Sequence, residues 1–123
     1  MVFLIMELDH LKQYCAQKPG TQESYPFGPD TLVFKVGGKM YALTGIDEKP
    51  LRVNLKCDPE QAQVLRAMHK NIIPGYHMNK EHWNTIILDG LLPDELIFRL
   101  IDESYSLVVE KLPRLTREAL ANS

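Results

Sequence analysis

TLVFKVGGKMYALT, Thr31 to Thr44, sets two runs of six residues on either side of Gly37-Gly38. Both runs are rich in β-branched and aromatic side chains, and paired glycines supply the positive φ that both positions of a type I′ turn require. The stretch therefore predicts an antiparallel hairpin. With a two-residue turn the register follows. Val36 opposes Lys39, Phe34 opposes Tyr41 and Leu32 opposes Leu43 on one face, while Lys35 with Met40, Val33 with Ala42 and Thr31 with Thr44 share the other. The Phe34–Tyr41 face is the expected core face.

Downstream, Arg52 to Cys57 alternates. Val53, Leu55 and Cys57 point one way and Arg52, Asn54 and Lys56 the other, as in an antiparallel sheet with one covered side. Asp58-Pro59 then opens a helix, with Asp58 as N-cap, Pro59 at N1 and Gln61 placed for a capping box. Its expected buried stripe is Ala62, Leu65 and Met68 or His69. Asn71 to Lys80 reads as a loop or short strand, and Trp83 to Leu88 as a strand ended by Asp89-Gly90. The longest helix starts at Pro93, carries Leu96, Ile97, Leu100, Ile101, Val108 and Leu112 inward, and ends at Pro113. The tail 114–123 reads as polar and frayed. Upstream, Leu8, Leu11, Tyr14 and Cys15 recur at helical spacing until Pro19-Gly20. Thr21 to Asp30 reads as an irregular loop, since Pro26, Gly28 and Pro29 exclude regular structure. The order α-β-β-β-α-(β)-β-α predicts an α+β fold, an antiparallel sheet with helices on one face.

The chain has 123 residues, 45% hydrophobic and 24% charged, with net charge −2. That length fits a single domain over 1–123, and a chain this size can bury enough surface without disulfide or metal. The composition is that of neither a collagen, a disordered tail nor a coiled coil, and no apolar run approaches the ~20 residues of a membrane span. A soluble, cytoplasmic protein is expected. Cys15 and Cys57 form no CxxC pair and read as reduced thiols. Residues 1–5 form an apolar lead-in without the basic flank of a signal peptide, and Met6 is an alternative start.

Four stretches together resemble the MmcQ/YjbR family of small bacterial proteins: YPFGPDTLVFKVGGKMYAL (Tyr25 to Leu43), RVNLKCDPE (Arg52 to Glu60), PGYHMNKEHWNTI (Pro74 to Ile86) and LPDELI (the run ending at Ile97). The segments DHLKQYC and IDESYSLV also fit, and MVFLI lies outside the pattern. The resemblance implies an α-β(3)-α-β(2)-α fold, similar to frataxin-like and secretion-chaperone-like proteins. It also implies DNA binding through a double-wing arrangement, although fold does not settle function.

Charge is uneven along the chain. The segment 31–82 carries a net charge of +3, against −2 for 1–30 and −3 for 89–123. Strand alternation puts Arg52, Asn54 and Lys56 on one face, beside Lys35 of the hairpin. Lys and Arg suit phosphate contacts and Asn can reach a base edge. The plain alternative is a solvated sheet face whose lysines discourage edge-to-edge pairing. A second concentration comprises Tyr76, His77, Asn79, Lys80, His82 and Trp83, in a loop of the kind that often binds a ligand. Structurally, Trp83 would be a core anchor there, with His77 and Asn79 closing a turn. His77 and His82 lack the i, i+4 spacing and the companion ligands of a metal site, so no metal is expected. GxSxG, Walker A, GxGxxG and HExxH are all absent, so neither a catalytic residue nor a cofactor is assigned, and enzyme is the minority reading.

The leading expectation is a non-catalytic DNA-binding protein that uses the basic sheet face and the Tyr76–Trp83 loop, with weak, salt-dependent affinity for duplex DNA. Two alternatives stand beside it: an adaptor that docks a protein partner, as secretion-chaperone-like folds do, and a small-molecule binder with a pocket near His77.

Overall fold

A computed structural model describes residues 5–76 and 78–122. In chain order the elements are α1 (Leu8–Ala16), β1 (Gln22–Ser24), β2 (Thr31–Val36), β3 (Lys39–Gly45), β4 (Leu51–Lys56), α2 (Pro59–Met68), β5 (Ile72–Pro74), β6 (Trp83–Leu88), α3 (Asp94–Val109) and α4 (Arg114–Ala121). The six strands make one antiparallel sheet in the order β1-β2-β3-β4-β6-β5. The fold is α+β. α3 lies across β2, β3 and β4, and α2 covers β5.

Two elements exceed the expected pattern. β1 forms inside the stretch read as a loop. Its Glu23 pairs with Phe34 in the ladder and reaches Lys12 of α1 at 3.7 Å, so backbone pairing holds a strand that has no apolar pattern of its own. The supposed frayed tail is the helix α4, because Leu120 packs onto the main core although no residue of the helix is fully buried.

The hairpin forms with Gly37 at φ 57° and Gly38 at φ 79°, as the type I′ reading requires. Its register departs from the expected one. Lys35 still pairs with Met40, but Phe34 pairs with Ala42, Val33 with Leu43 and Leu32 with Thr44. Tyr41 is thus an extra, unopposed residue, a β-bulge. The cause is tertiary. The buried Tyr41 hydroxyl shares a 2.8 Å hydrogen bond with Thr21 Oγ1 and donates to the Cys15 carbonyl at 3.2 Å, and its ring meets Tyr105 edge-on at 5.3 Å. The bulge sends Leu43 to the face away from the helices and brings Thr44 into the helix-side core, where its hydroxyl donates to the Arg52 carbonyl at 2.6 Å.

A buried serine repairs the gap that the bulge opens between β3 and β4, whose pairing ends at Ala42 with Leu55. Ser104 of α3 accepts from the Lys56 N–H at 2.8 Å and donates to the Tyr41 carbonyl at 2.5 Å. One hydroxyl thereby satisfies two backbone groups that the ladder has left open.

Asp58-Pro59 opens α2 as expected, whereas α3 spans Asp94–Val109 and stops short of Pro113. Asp58 Oδ1 caps α2 by accepting from Glu60 N and Gln61 N. Ala62 and Leu65 are its buried residues, whereas Met68 is exposed, so the stripe does not extend to it. The α3 residues Ile97, Leu100, Ile101 and Val108 face the core, joined by strand residues Leu32, Phe34, Val53, Leu55, Ile86 and Leu88. Both cysteines are buried and free. No helix among the described residues is long and apolar enough to cross a membrane.

Candidate nucleic-acid interface

β4 shows the expected alternation, with Leu51, Val53 and Leu55 buried and Arg52, Asn54 and Lys56 half-exposed on the side away from α3. The neighbours follow from register. Lys35 on β2 pairs with Met40, and Lys56 pairs with Trp83 of β6. Lys35 and Lys56 are two strands apart, ~10 Å, and Arg52 lies ~13 Å from Lys56 along its own strand. Between these cations sits a small apolar cluster of Val33, Leu43 and Trp83, with Met40 and Met78 against it. The open face is therefore apolar at its centre and basic at its rim.

The ion pairs among the described residues are Lys12–Glu23, Lys18–Asp102, Arg99–Glu103 and Arg114–Glu118, and each uses a helix residue. None of them involves Lys35, Arg52, Lys56 or Lys80. The groove between α2 and α3 on the opposite side is lined by Asp58, Asp102, Glu103 and Glu110, with one cation, Arg99. The groove is thus mainly acidic, whereas Lys35, Arg52 and Lys56 lie on the opposite side without an ion pair among the described residues.

The loop after β5 divides among several roles. Tyr76 is 61% exposed, and the Lys80 ammonium stands 5.2 Å from its ring centroid, a cation–π contact. Asn79 Oδ1 accepts from Glu81 N at 2.9 Å and so closes a local turn. The His82 carbonyl accepts from Cys57 N at 2.7 Å, tying the loop to the end of β4. Arg66 of α2 adds a bond to the Lys80 carbonyl. Trp83 is 7% exposed and anchors the open-face cluster, so it offers no stacking surface. Asn54 is bonded within the sheet, its Nδ2 donating to the Leu43 carbonyl and its Oδ1 accepting from Thr85 Oγ1 at 2.5 Å. His77, and with it the expected pocket beside it, lies outside the described residues. No group of three or more His, Cys, Asp or Glu side chains among the described residues is placed to hold a metal ion. Burial pushes the Cys57 thiol up to about 11, away from the thiolate form a nucleophile needs.

Several residues of this face were not singled out by sequence. Phe27, 62% exposed, and Met78 wall a cavity of about 300 Å³ whose lining includes Thr31, Leu43, Glu48 and Asn54. The available signal was YPFGP itself, since aromatics locked between prolines in a loop cannot join a strand and stay at the surface.

Comparison with known proteins agrees with this architecture. A sequence model of the YjbR family matches residues 16–107. The uncharacterized protein YjbR of Escherichia coli strain K12 is 39% identical over 115 residues, covering 94% of this chain and 98% of that protein. The uncharacterized protein YyaQ of Bacillus subtilis strain 168 is 49% identical over 76 residues, 62% of this chain and 63% of that one. The crystal structure of Deinococcus radiodurans protein DR2400, described by the domain DUF419, has a TM-score of 0.90 and 43% identity, covering 98% of this chain and 92% of that chain. The chain, with its bulged hairpin and its rim of unpaired cations, belongs to the YjbR family.

Proposed function

We propose that this protein is a non-catalytic DNA-binding protein that contacts phosphates through Lys35, Arg52 and Lys56 on the open sheet face and Lys80 in the adjoining loop. The observation that carries the reading is the distribution of ion pairs. The ion-paired cations among the described residues, Lys12, Lys18, Arg99 and Arg114, all pair through a helix residue, while these four, gathered on one sheet face and its adjoining loop, have no acidic partner there. Unpaired, partly exposed cations keep the full charge needed to displace condensed counterions from a phosphate backbone. With net charge −2 overall, the long-range field is repulsive, and affinity rests on a local patch.

Binding is expected in the range of nonspecific contacts, a Kd of about 1–100 μM at physiological salt, and to weaken steeply as salt rises. The test is fluorescence anisotropy with labelled DNA, duplex and single-stranded, from about 50 mM salt upward. The double variant R52E/K56E should abolish binding and keep the wild-type circular dichroism spectrum, because both side chains lie away from the helix-side core. Absence of binding by either DNA form at the lowest salt, or unchanged binding by the folded double variant, would overturn the proposal.

A further inference from the structure

We infer that the open face prefers single-stranded over duplex DNA and seats one unstacked base in the cavity between Phe27 and Met78. This rests on the DNA-binding reading above and specifies its ligand. The cavity has three properties that suit a nucleobase. Its volume of about 300 Å³ stands at the lower end of small-ligand sites. Its apolar lining consists of flat or flexible side chains, those of Phe27, Leu43 and Met78. Its polar side chains are Thr31, Glu48 and Asn54, and Asn54 is the one that brings an amide donor for a base acceptor. One of its amide N–H bonds goes to the Leu43 carbonyl, and the second has no protein acceptor, so it is free to meet a base oxygen or ring nitrogen.

The cations are placed for the same strand. Arg52 and Lys56 lie two residues on either side of Asn54, on the same face of β4, each ~6.6 Å away. A base resting over Asn54 would thus have one cation on each side for the phosphates that flank it. Exposed aromatics extend the track. Tyr25 belongs to the loop of Phe27, and Tyr76, braced by Lys80, follows β5 at the edge beyond Trp83. Aromatic faces beside a basic groove bind bases by stacking, which every base can do, so such sites tolerate sequence.

A duplex cannot use these features without opening. Its bases are stacked and paired, and moving one into the cavity costs unstacking and unpairing energy that a single strand does not owe. The Tyr25–Phe27 loop is also preset. The turn bonds from Gly28 N to the Tyr25 carbonyl and from Thr31 N to the Gly28 carbonyl shape the backbone on either side of Phe27 without a ligand. Little backbone ordering entropy remains to be lost on binding.

The experiment compares one labelled mixed-sequence oligonucleotide, single-stranded and annealed to its complement, on wild type, Phe27→Ala and R52E/K56E. The single strand should bind at least about tenfold more tightly than the duplex. Phe27→Ala should weaken single-strand binding by about tenfold, the loss of one stacked base, and leave duplex binding unchanged. Phe27 is exposed, so the fold does not depend on it, and the thermal midpoint of the variant checks this. Equal or tighter duplex binding, or a single-strand affinity indifferent to Phe27→Ala, would overturn this inference. If R52E/K56E still abolished binding in that case, the charge reading would survive. Absence of all binding removes both.

Discussion

Ser104 is one of four serines in the chain, and no sequence motif marks it. In the structure it is fully buried and joins the Tyr41 carbonyl to the Lys56 N–H. Its role was illegible because it depends on a gap created by a different residue on a different element. Replacing it by alanine removes the shared partner of two buried backbone groups. The expected cost is about 2 kcal/mol or more, read as a lower urea midpoint with unchanged slope. A loss within the ordinary surface range of ~0.5 kcal/mol would mean that water substitutes for the hydroxyl. Asn54 gives the reverse lesson. Its side was legible from alternation alone, but its hydrogen bonds to Thr85 and Leu43 were not, because they require the register of two neighbouring strands.

Among elements, those whose stability is encoded locally were readable. Asp58-Pro59 announced α2, and Gly37-Gly38 announced the turn. Both turn glycines have positive φ, and a Cβ on Gly37 would come within 2.7 Å of the Leu112 side chain. Replacing both by valine should therefore destabilise the protein by more than about 1 kcal/mol in equilibrium unfolding, since backbone strain adds to the clash. Unaltered stability would rule out the turn type. The elements that were not readable draw their stability from elsewhere in the chain. β1 is three polar residues that become a strand only by pairing with β2. α4 is anchored through Leu120, and the bulge exists because the Tyr41 hydroxyl finds the Cys15 carbonyl of α1 and the Thr21 hydroxyl rather than the opposite sheet face.

At the scale of the whole molecule, the sequence showed that charge was uneven along the chain but not how it divides between faces. Of the basic residues in 31–82, Arg66 is spent on the Ala62 and Lys80 carbonyls, whereas Lys35, Arg52 and Lys56 converge on the open face because β2, β3 and β4 are neighbours. Burial also sets a global pH response. It pushes the Cys15 thiol up to about 12 and the Cys57 thiol up to about 11, from an ordinary value of 9.0. The unfolded chain releases these protons first. The sign is therefore a loss of stability as pH rises above about 9, continuing until the folded-state values are passed near 12. Urea midpoints measured between neutral pH and the alkaline range should be level below pH 9 and fall above it. A midpoint that climbs there would show that the thiols are not held neutral by burial.

The bond from Lys56 to Ser104 has a kinetic consequence. The amide of the last residue of a strand normally exchanges its proton with water whenever the strand end frays. At Lys56 the acceptor belongs to α3, so the proton is freed only when the helix parts from the sheet. The backbone beneath one of the proposed phosphate contacts therefore keeps time with the opening of the core, not with the surface on which its side chain lies.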